Sequence, residues 1–498
     1  MASVTISGML DAEADALSNG WTEERLLDLA GQRLGRAIGR FFPHPGSVVG
    51  YLGKGHNAGD TLVALKILRD HFSWDIAVRT AFPIEECAPL TQRKWQQLGL
   101  STSLTQPPAW RDSEGPLLLL DGLLGTGSHG ALRNPLLALA EEMTWLCNHA
   151  GARIAAIDLP SGIDADSGGI FPGTVTADIT FMIANAKRGL LTAHAAHATG
   201  ALALVPVEPL ISKNLSDMEL ISPQTMDFAK HPRPFDFHKG MAGRVAIIAG
   251  SPQYTGAAVL AALGALRGGA GLITLHVPNP NVSTITAKCP PEIIVRGFLS
   301  LGELRNLTAD AQVIGCGIGD LDTTECEALI DWIANAQIPT VLDADALNLI
   351  AKSGRRDIFK SHHVLTPHPG EFQRLAPNLT ALTREAAARA FADQTPSTLL
   401  LKGCRTLVTR AGHPLWCNST GSPGMATGGQ GDLLAGVIGA RLAFGNSPLE
   451  AASLAAWLCG RAAEIALNHP EISEESLTPS DVANRLGSAY SDWKSSRR

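Results

Sequence analysis

The sequence predicts two successive α/β domains, each a mostly parallel sheet wound by helices. Three observations lead there. Continuous apolar runs of strand length recur in both halves and end in Asp or in Gly-rich loops, the pattern of strands buried on both faces. These runs alternate with stretches of helical spacing, so strand, loop, helix, strand is the repeating order. Finally, 498 residues exceed what one core usually holds.

The division falls near residues 208–236, where Pro209, Pro223, Pro232 and Pro234 interrupt a stretch of weak periodicity. Proline fixes φ and stops helices, so an extended linker is expected. The domains are then 1–210 and 236–498, with a linker at 211–235.

In the first half, WTEERLLDLAGQRLGRAI reads as a helix and GSVVGYLG (46–53) as a buried strand. Leu62, Leu65 and Leu68 place a helix over 58–71. WDIAVRT (74–80), LLLLD (117–121) and RIAAIDLP (153–160) are the next strands. In the second half, GRVAIIAG (243–250) is a strand, 255–271 a helix of small residues, and LITLHVP (272–278) a strand. AQVIGCGIG, PTVLDADAL and HHVLTPHPGE are further strand-to-loop units. STLLLKG and RTLVTR are expected to pair as a hairpin, and a long helix is expected to start near Gly429.

Composition excludes several classes. Hydrophobic residues at 45% and charged residues at 17% describe a globular chain, not a disordered one. Lys+Arg 40 against Asp+Glu 47 gives a net charge of -7, which argues against a general nucleic-acid or membrane-surface role but allows a local basic pocket for phosphates. The eight cysteines include no CxxC pair, so neither a zinc site nor a redox dithiol is expected, and a reduced, cytoplasmic setting is. No signal peptide is expected at the N-terminus, and Asp121, Arg267 or Arg461 breaks each apolar stretch too early for a membrane span.

Three loops in the first half follow three strands: 53–60 (GKGHNAGD), 121–130 (DGLLGTGSHG) and 158–164 (DLPSGID). In a parallel sheet such loops converge on one edge, where ligands bind. Together they offer carboxylates, an amide, a hydroxyl and free backbone groups, which suits a phosphate-bearing ligand and a hard, oxygen-coordinated cation. Taken singly, Asp121 and Asp158 would also serve as turn formers or helix caps. In the second half, Gly424-Met425-Ala426-Thr427-Gly428-Gly429-Gln430-Gly431-Asp432 leads into a helix. Glycines there make a backbone anion hole. Asp432 is either a helix-dipole partner or a base that takes a hydroxyl proton while the hole holds a transferring phosphoryl group.

The set GKGHNAGD, DGLLGTG and DLPSGIDADSG resembles the NAD(P)HX epimerase domain, over most of residues 20–207. The resemblance implies a Rossmann-like three-layer domain that interconverts the C6 epimers of hydrated NADH or NADPH and binds K⁺. It implies that Asn57, Asp121 and Ser161 hold K⁺. His56, Asn57, Ala58, Gly59 and Asp60, with Gly125, Thr126, Gly127, Ser128, His129, Gly130 and Ala131, would surround the dinucleotide, and Asp158 would act on the ring. The family's first loop has two Asn and two Gly where this chain has His56-Asn57-Ala58-Gly59.

The Asp432 loop resembles that of ribokinase-like kinases. GSPQYTGAAVLAALGALRGGAGLITLHVP, GCGIG, LDADALNL, TPHPGEF, LKG and GMATGGQGDLLAG, in that order, are similar to the ADP-dependent NAD(P)HX dehydratase over about 238–490. That implies a ribokinase-like α/β domain with Ala257, Gly317, Gly319, His368 and Asp432 on the hydrated dinucleotide. Lys402, Gly403, Cys404, Arg405, Thr406 and Gly431 would surround the phosphate donor, ADP, with Mg²⁺. The implied catalytic residues are Asp158 and Asp432, and the implied partners are the small molecules NADHX, NADPHX and ADP. A homo-oligomer is expected, since such sheets commonly assemble. Two other readings stay open at this point: a small-molecule kinase with an N-terminal nucleotide-binding regulatory domain, and a non-catalytic N-terminal binding module.

Overall fold

The computed structural model describes the chain except residues 1, 101, 105, 107–114, 224–225, 227–232 and 496–498. It divides into two compact units, Met1–Leu220 and Ile221–Arg498. Among the described residues no helix is long and apolar enough to cross a membrane.

The first unit contains β1 (Ala2–Val4), α1 (Ile6–Ser18), α2 (Glu23–Phe41), β2 (Ser47–Leu52), α3 (His56–Phe72), β3 (Asp75–Thr80), α4 (Pro89–Leu98) and β4 (Leu117–Gly122). It continues with α5 (Leu136–Ala150), β5 (Arg153–Ile157), β6 (Ile179–Ile183), α6 (Ala196–Thr199), β7 (Ala201–Val205) and β8 (Leu215–Ile221), whose last residue is the first of the second unit. Six strands form a parallel sheet in the order β3-β2-β4-β5-β6-β7. Successive side chains of a strand point to opposite faces. Val48, Leu118, Leu120, Ala155 and Ile157 therefore join α2 and α3 in one core. Val49, Tyr51, Leu119, Ile154 and Ala156 join Leu139, Met143 and Leu146 of α5 in another. Two cores on one sheet make a three-layer unit.

Helix α2 starts where Thr22 accepts a hydrogen bond from Arg25 N at 3.2 Å, with Glu23 and Glu24 in the first turn. Its glycines let α3 approach: a Cβ on Gly31 would lie 2.5 Å from Val63 Cβ, and one on Gly35 2.7 Å from Ile67 Cβ. The 53–60 loop at the head of α3 is thereby held at the sheet edge.

Part of the expected linker is a strand. β8 pairs antiparallel with β1, Ala2 opposite Glu219 and Val4 opposite Leu215. Met218 and Leu220 are buried, and that alternation supports a strand in a segment whose prolines suggested none. Residues 224–225 and 227–232 of the linker, Pro232 included, lie outside the described residues.

The second unit contains β9 (Arg244–Ile248), α7 (Thr255–Arg267), β10 (Leu272–Pro278), α8 (Val282–Lys288), β11 (Ile294–Phe298), β12 (Ala311–Ile314), α9 (Thr323–Asn335), β13 (Thr340–Leu342) and α10 (Ala344–Ser353). Then come β14 (His363–Leu365), α11 (Pro369–Leu375), α12 (Arg384–Gln394), β15 (Thr398–Leu401), β16 (Leu407–Thr409), β17 (Leu415–Asn418), α13 (Gln430–Ala443), α14 (Pro448–Leu467) and α15 (Pro479–Ser495). Its strands run β17-β16-β15-β14-β13-β12-β9-β10-β11. They are parallel from β15 to β11, and the expected β15–β16 hairpin is present, with Leu400 opposite Val408. The small-residue helix α7 packs directly on α13. A Cβ on Gly436 would lie 2.0 Å from Ala261 O, and one on Gly264 2.2 Å from Leu433 O. Only glycine at both positions allows this approach, which fixes where α13 begins.

Candidate functional site

Strand order reverses once in each parallel sheet, between β2 and β4 and between β9 and β12. At such a point the neighbouring loops diverge and leave a crevice beyond the strand ends. The expected site residues lie on loops at the strand ends of the two sheets, some beside these crevices.

In the first unit the backbones of the first two loops nearly touch: a Cβ on Gly53 would lie 1.9 Å from Leu123 O. The peptide of Leu124 links the three expected cation ligands. Its carbonyl accepts from Asn57 Nδ2 at 2.7 Å, and its N–H donates to Ser161 Oγ at 3.0 Å. Ser161 Oγ in turn donates to Asp121 Oδ1 at 2.6 Å, and Ser161 N to Asp121 Oδ2 at 2.7 Å. Asn57 Nδ2 also donates to Ile157 O at 3.1 Å. Asp121 is fully buried, and the donors to it, Ser161 Oγ, Ser161 N and, at 3.3 Å, Leu123 N, are neutral groups. Burial pushes its carboxyl up to about 6, against the opposing hydrogen bonds of Ser161. A buried carboxylate among neutral donors, beside a hydroxyl with a spare lone pair, fits a monovalent cation held by oxygen.

Asp158 adopts φ 69°, a left-handed conformation uncommon for a residue with a Cβ. Its N–H donates to Phe181 O at 2.9 Å, and its Oδ1 accepts from Ile183 N at 2.8 Å and from Lys187 Nζ. Lys187 is fully buried and also donates to Ile183 O at 2.8 Å. Asp60 faces the same charges. Burial first, then Asp158 and Glu13, hold its carboxyl well above the usual range, with Lys187 opposing. Asp60 Oδ1 is buried with no hydrogen-bond partner among the described residues.

The remaining dinucleotide residues divide by exposure. His56, Gly127, His129 and Ala131 are exposed, and Gly125, Thr126, Ser128 and Gly130 are half-buried. Ser128 Oγ closes its loop on Gly125 O at 2.7 Å, and His129 Nδ1 meets Asp164 Oδ2 at 2.8 Å. Ala58 and Gly59 are buried, Ala58 in the core under α3, so they present at most backbone. A cavity of about 580 Å³ lies elsewhere, on α5 beside Leu132, Trp145 and Gly173, and includes none of the expected residues.

In the second unit the first turn of α7, with Ala257, packs on the loop after β12. A Cβ on Gly317, at φ 63°, would lie 2.9 Å from Ala257 Cβ. Gly319 N donates to Asp345 Oδ2 at 2.9 Å. At the head of α13, Gly429 takes φ 93° as the N-cap, and Leu433 N bonds back to its carbonyl at 3.1 Å. The amides of Gln430, Gly431 and Asp432 precede that first bond and face outward, as at any helix start.

Asp432 is half-buried at this point. Burial first, then the Asp343 charge, push its carboxyl up to about 6, while a hydrogen bond from Cys316 and the charge of Lys402 pull it down. Lys402 Nζ lies 2.8 Å from Asp343 Oδ1 and 3.8 Å from Glu371 Oε2. Burial lowers the lysine, but these two carboxylates outweigh it and hold it protonated. A Cβ on Gly431 would lie 3.2 Å from Lys402 Nζ, so lysine and helix start face one small space.

His368 is the N-cap of α11. Its Nδ1 accepts from Gly370 N at 3.0 Å, and its own N–H donates to Glu371 Oε2 at 2.8 Å. Its ring is half exposed and close to Glu371 Oε1, 3.4 Å from Nε2. The 402–406 loop is shaped by Arg384, which donates to the carbonyls of Leu401 (2.7 Å), Lys402 (2.9 Å) and Arg405 (3.1 Å), and to that of Cys404. Gly403 and Cys404 are exposed, Arg405 is buried, and Thr406 Oγ1 donates to Gly403 O at 3.0 Å.

Sequence reasoning missed Lys187, Cys316, Asp343, Glu371 and Arg384 as parts of these sites. It also missed Ser251 and Gln430, whose buried side-chain atoms have no hydrogen-bond partner among the described residues. Ser251, Cys316, Asp343, Glu371 and Gln430 stood in noted segments, where the glycines and histidine beside them drew the reading. Lys187 and Arg384 carry no local signal, because each works through residues distant in sequence.

An α/β sheet with a glycine-lined helix start, a half-buried aspartate and a lysine at its switch point is the arrangement of a ribokinase-like phosphoryl-transfer domain, here following a Rossmann-like one. A ribokinase-like superfamily protein from Enterococcus faecalis matches the fold with a TM-score of 0.51 and 30% identity, over 56% of this chain and 97% of that one. The family model for NAD(P)H-hydrate dehydratase matches residues 245–485, and that for the YjeF-related protein N-terminus matches 23–189. The bifunctional NAD(P)H-hydrate repair enzyme Nnr of Gloeobacter violaceus is 34% identical over 94% of each chain. That of Moorella thermoacetica is 33% identical over 88% of this chain and 87% of its own. The chain belongs to the bifunctional NAD(P)H-hydrate repair enzyme family.

Proposed function

We propose that residues 1–210 epimerise the R and S forms of NADHX and NADPHX. Residues 236–498 then dehydrate the S form to NADH or NADPH with ADP as donor, giving AMP and phosphate. Membership of the repair-enzyme family supports the overall activity. The single observation that carries the mechanism is the meeting of Asp432 and Lys402 at the amide-lined start of α13.

Hydroxide is a poor leaving group. Asp432, with its carboxyl at about 6, is ionised at neutral pH yet basic enough to take the proton of the C6 hydroxyl as its oxygen attacks the donor's terminal phosphorus. Lys402 and the first amides of α13 stabilise charge on the transferring group. The C6–O bond of the phosphate ester then breaks as the ring nitrogen's electron pair expels phosphate, and loss of a C5 proton from the resulting iminium to solvent restores the dihydronicotinamide. Arg384 holds the 402–406 carbonyls away from the donor, and Ala257, Gly317, Gly319 and His368 line the hydrated coenzyme's side. Mg²⁺ would neutralise donor phosphate charge.

In the first unit, Asp158 exchanges the proton that accompanies opening and reclosure at C6. Lys187 and the Ile183 amide hold its Oδ1. Asn57, Asp121 and Ser161 would hold K⁺, which supplies charge neutralisation at the buried carboxylate. The residues His56–Asp60 and Gly125–Ala131 border the dinucleotide. A dehydratase that accepts one epimer leaves the other behind, and an epimerase on the same chain returns it.

A mixture of NADHX epimers with ADP, Mg²⁺ and K⁺ tests both activities. Conversion of all the substrate, read as recovered dihydronicotinamide absorbance, is expected. Arrest near half, with slow spontaneous epimerisation, would remove the epimerase. A stable phosphorylated product would instead favour a small-molecule kinase.

A further inference from the structure

Three side chains from separate strand ends converge beside the phosphoryl-transfer site: Cys316 after β12, Asp343 after β13 and Asp432 in the first turn of α13. One ligand atom from each lies within 4.8 Å of the other two. Cys316 and Asp343 are 0% and 1% exposed, while Asp432 is half-buried, so the group opens only on the Asp432 side.

Asp343 supplies a second, independent observation. Its Oδ1 accepts hydrogen bonds from Thr366 Oγ1 and Lys402 Nζ, each at 2.8 Å. Its Oδ2 has none among the described residues and points at the head of α13, 3.8 Å from where a Cβ on Gly431 would stand. A side chain buried this deeply thus aims an unused carboxylate oxygen into the cluster. A carboxylate oxygen without a donor, on a side chain this deeply held, is a ready cation ligand.

We propose that Cys316, Asp343 and Asp432 form a binding site for a thiophilic divalent cation of the zinc class, whose binding reversibly shuts off dehydration. A sulfur ligand discriminates against Mg²⁺, which prefers all-oxygen octahedral sites, and selects Zn²⁺ or Cd²⁺. Tetrahedral zinc, with bonds of about 2.0–2.3 Å, holds its ligands roughly 3.3–3.8 Å apart, so the three donors need to close by only about 1 Å. Water completes the fourth position from the open side. Binding is ligand exchange without redox change. The Cys316 S–H bond breaks, its proton goes to solvent, and a sulfur–metal bond forms. An Asp432 oxygen committed to the metal no longer accepts the hydroxyl proton. Asp158's hydrogen-bond partners among the described residues, Lys187, Ile183 and Phe181, include no thiol, so epimer exchange continues.

The shut-off rests on Asp432 being the base, but the binding does not, and the experiment separates them. The full chain is titrated with Cd²⁺ while the ultraviolet cadmium–thiolate band is followed, and Zn²⁺ inhibition of dehydration is measured with and without chelator. In Cys316→Ser the band should lose one thiolate's amplitude, and half-inhibition by Zn²⁺, relative to the variant's own uninhibited rate, should need at least about tenfold more metal. Should Cys316→Ser fold poorly, Asp343→Asn and Asp432→Asn must each weaken Cd²⁺ binding by a similar factor. An unchanged band in Cys316→Ser, or unchanged Cd²⁺ affinity in both Asn variants, overturns the site. A band with full dehydration would keep the site and remove Asp432 as the base.

Discussion

Lys402 Nζ sits 2.8 Å from Asp343 Oδ1 and faces Gly431, so a protonated lysine stands beside the amides that open α13. The ion pair is mostly buried, and its second neighbour, Glu371, keeps the lysine charged. Asp432, one residue on, experiences Asp343 as a like charge and Lys402 as an opposite one. Carboxylate, lysine and helix-start amides are thereby set within a few side chains.

Asp432→Asn should lower dehydration by about 10²–10⁴, the usual contribution of a general base, while epimer exchange continues. Recovered absorbance reports the first activity and proton NMR of the epimers the second. In the parent chain, dehydration should rise with pH through about 6 as the carboxyl ionises and then level off. A profile flat from pH 5 to 8 would rule Asp432 out.

Lys187→Met leaves Asp158 without its cation in a buried setting. Breaking such a pair costs about 3–5 kcal/mol, so unfolding of the first unit should shift to clearly lower denaturant. Epimer exchange should fall, and Lys187→Arg should restore more stability than rate, because the longer fork cannot also reach Ile183 O as Lys187 does at 2.8 Å.

Potassium should raise the unfolding temperature of the first unit, and sodium should do so less. Asp121 is buried among neutral donors, and a bound cation adds RT ln(1 + [L]/Kd) of stability, about 2.7 kcal/mol at a hundredfold excess over Kd. In Asp121→Asn the potassium dependence should vanish in differential scanning calorimetry.

His276 on β10 is 5% exposed, and burial, then Arg296, lowers its imidazole to about 4. A histidine with a depressed folded-state value binds fewer protons folded than unfolded. Its contribution is therefore complete above pH 6.5 and is lost as pH falls from 6.5 toward about 4. The loss amounts to about 3 kcal/mol. Urea midpoints of the second unit should fall across that window, and His276→Phe should flatten the fall.

The order of strands and helices was legible because each strand buried on both faces must be written in apolar residues, as LLLLD and RIAAIDLP are. The positions of the three first-unit loops and of the Asp432 loop were legible for a related reason. Tight turns and close backbone approach demand glycine, as Gly53 shows against Leu123 O. The β8 strand was hidden by its neighbouring prolines, and its pairing with β1 spans over two hundred residues.

By itself the sequence determined two wound sheets, their glycine-lined loops and the carboxylates at the strand ends, because periodicity and turn chemistry are local properties of a chain. Tertiary structure alone decided which charges meet. It set Lys187 against Asp158, Lys402 against Asp343, Arg384 against the carbonyls of the 402–406 loop, and Cys316 against Asp432. Electrostatic and hydrogen-bond energies depend on distance through space, and the distances between residues far apart in sequence are fixed only when the strand order brings their ends to a common edge.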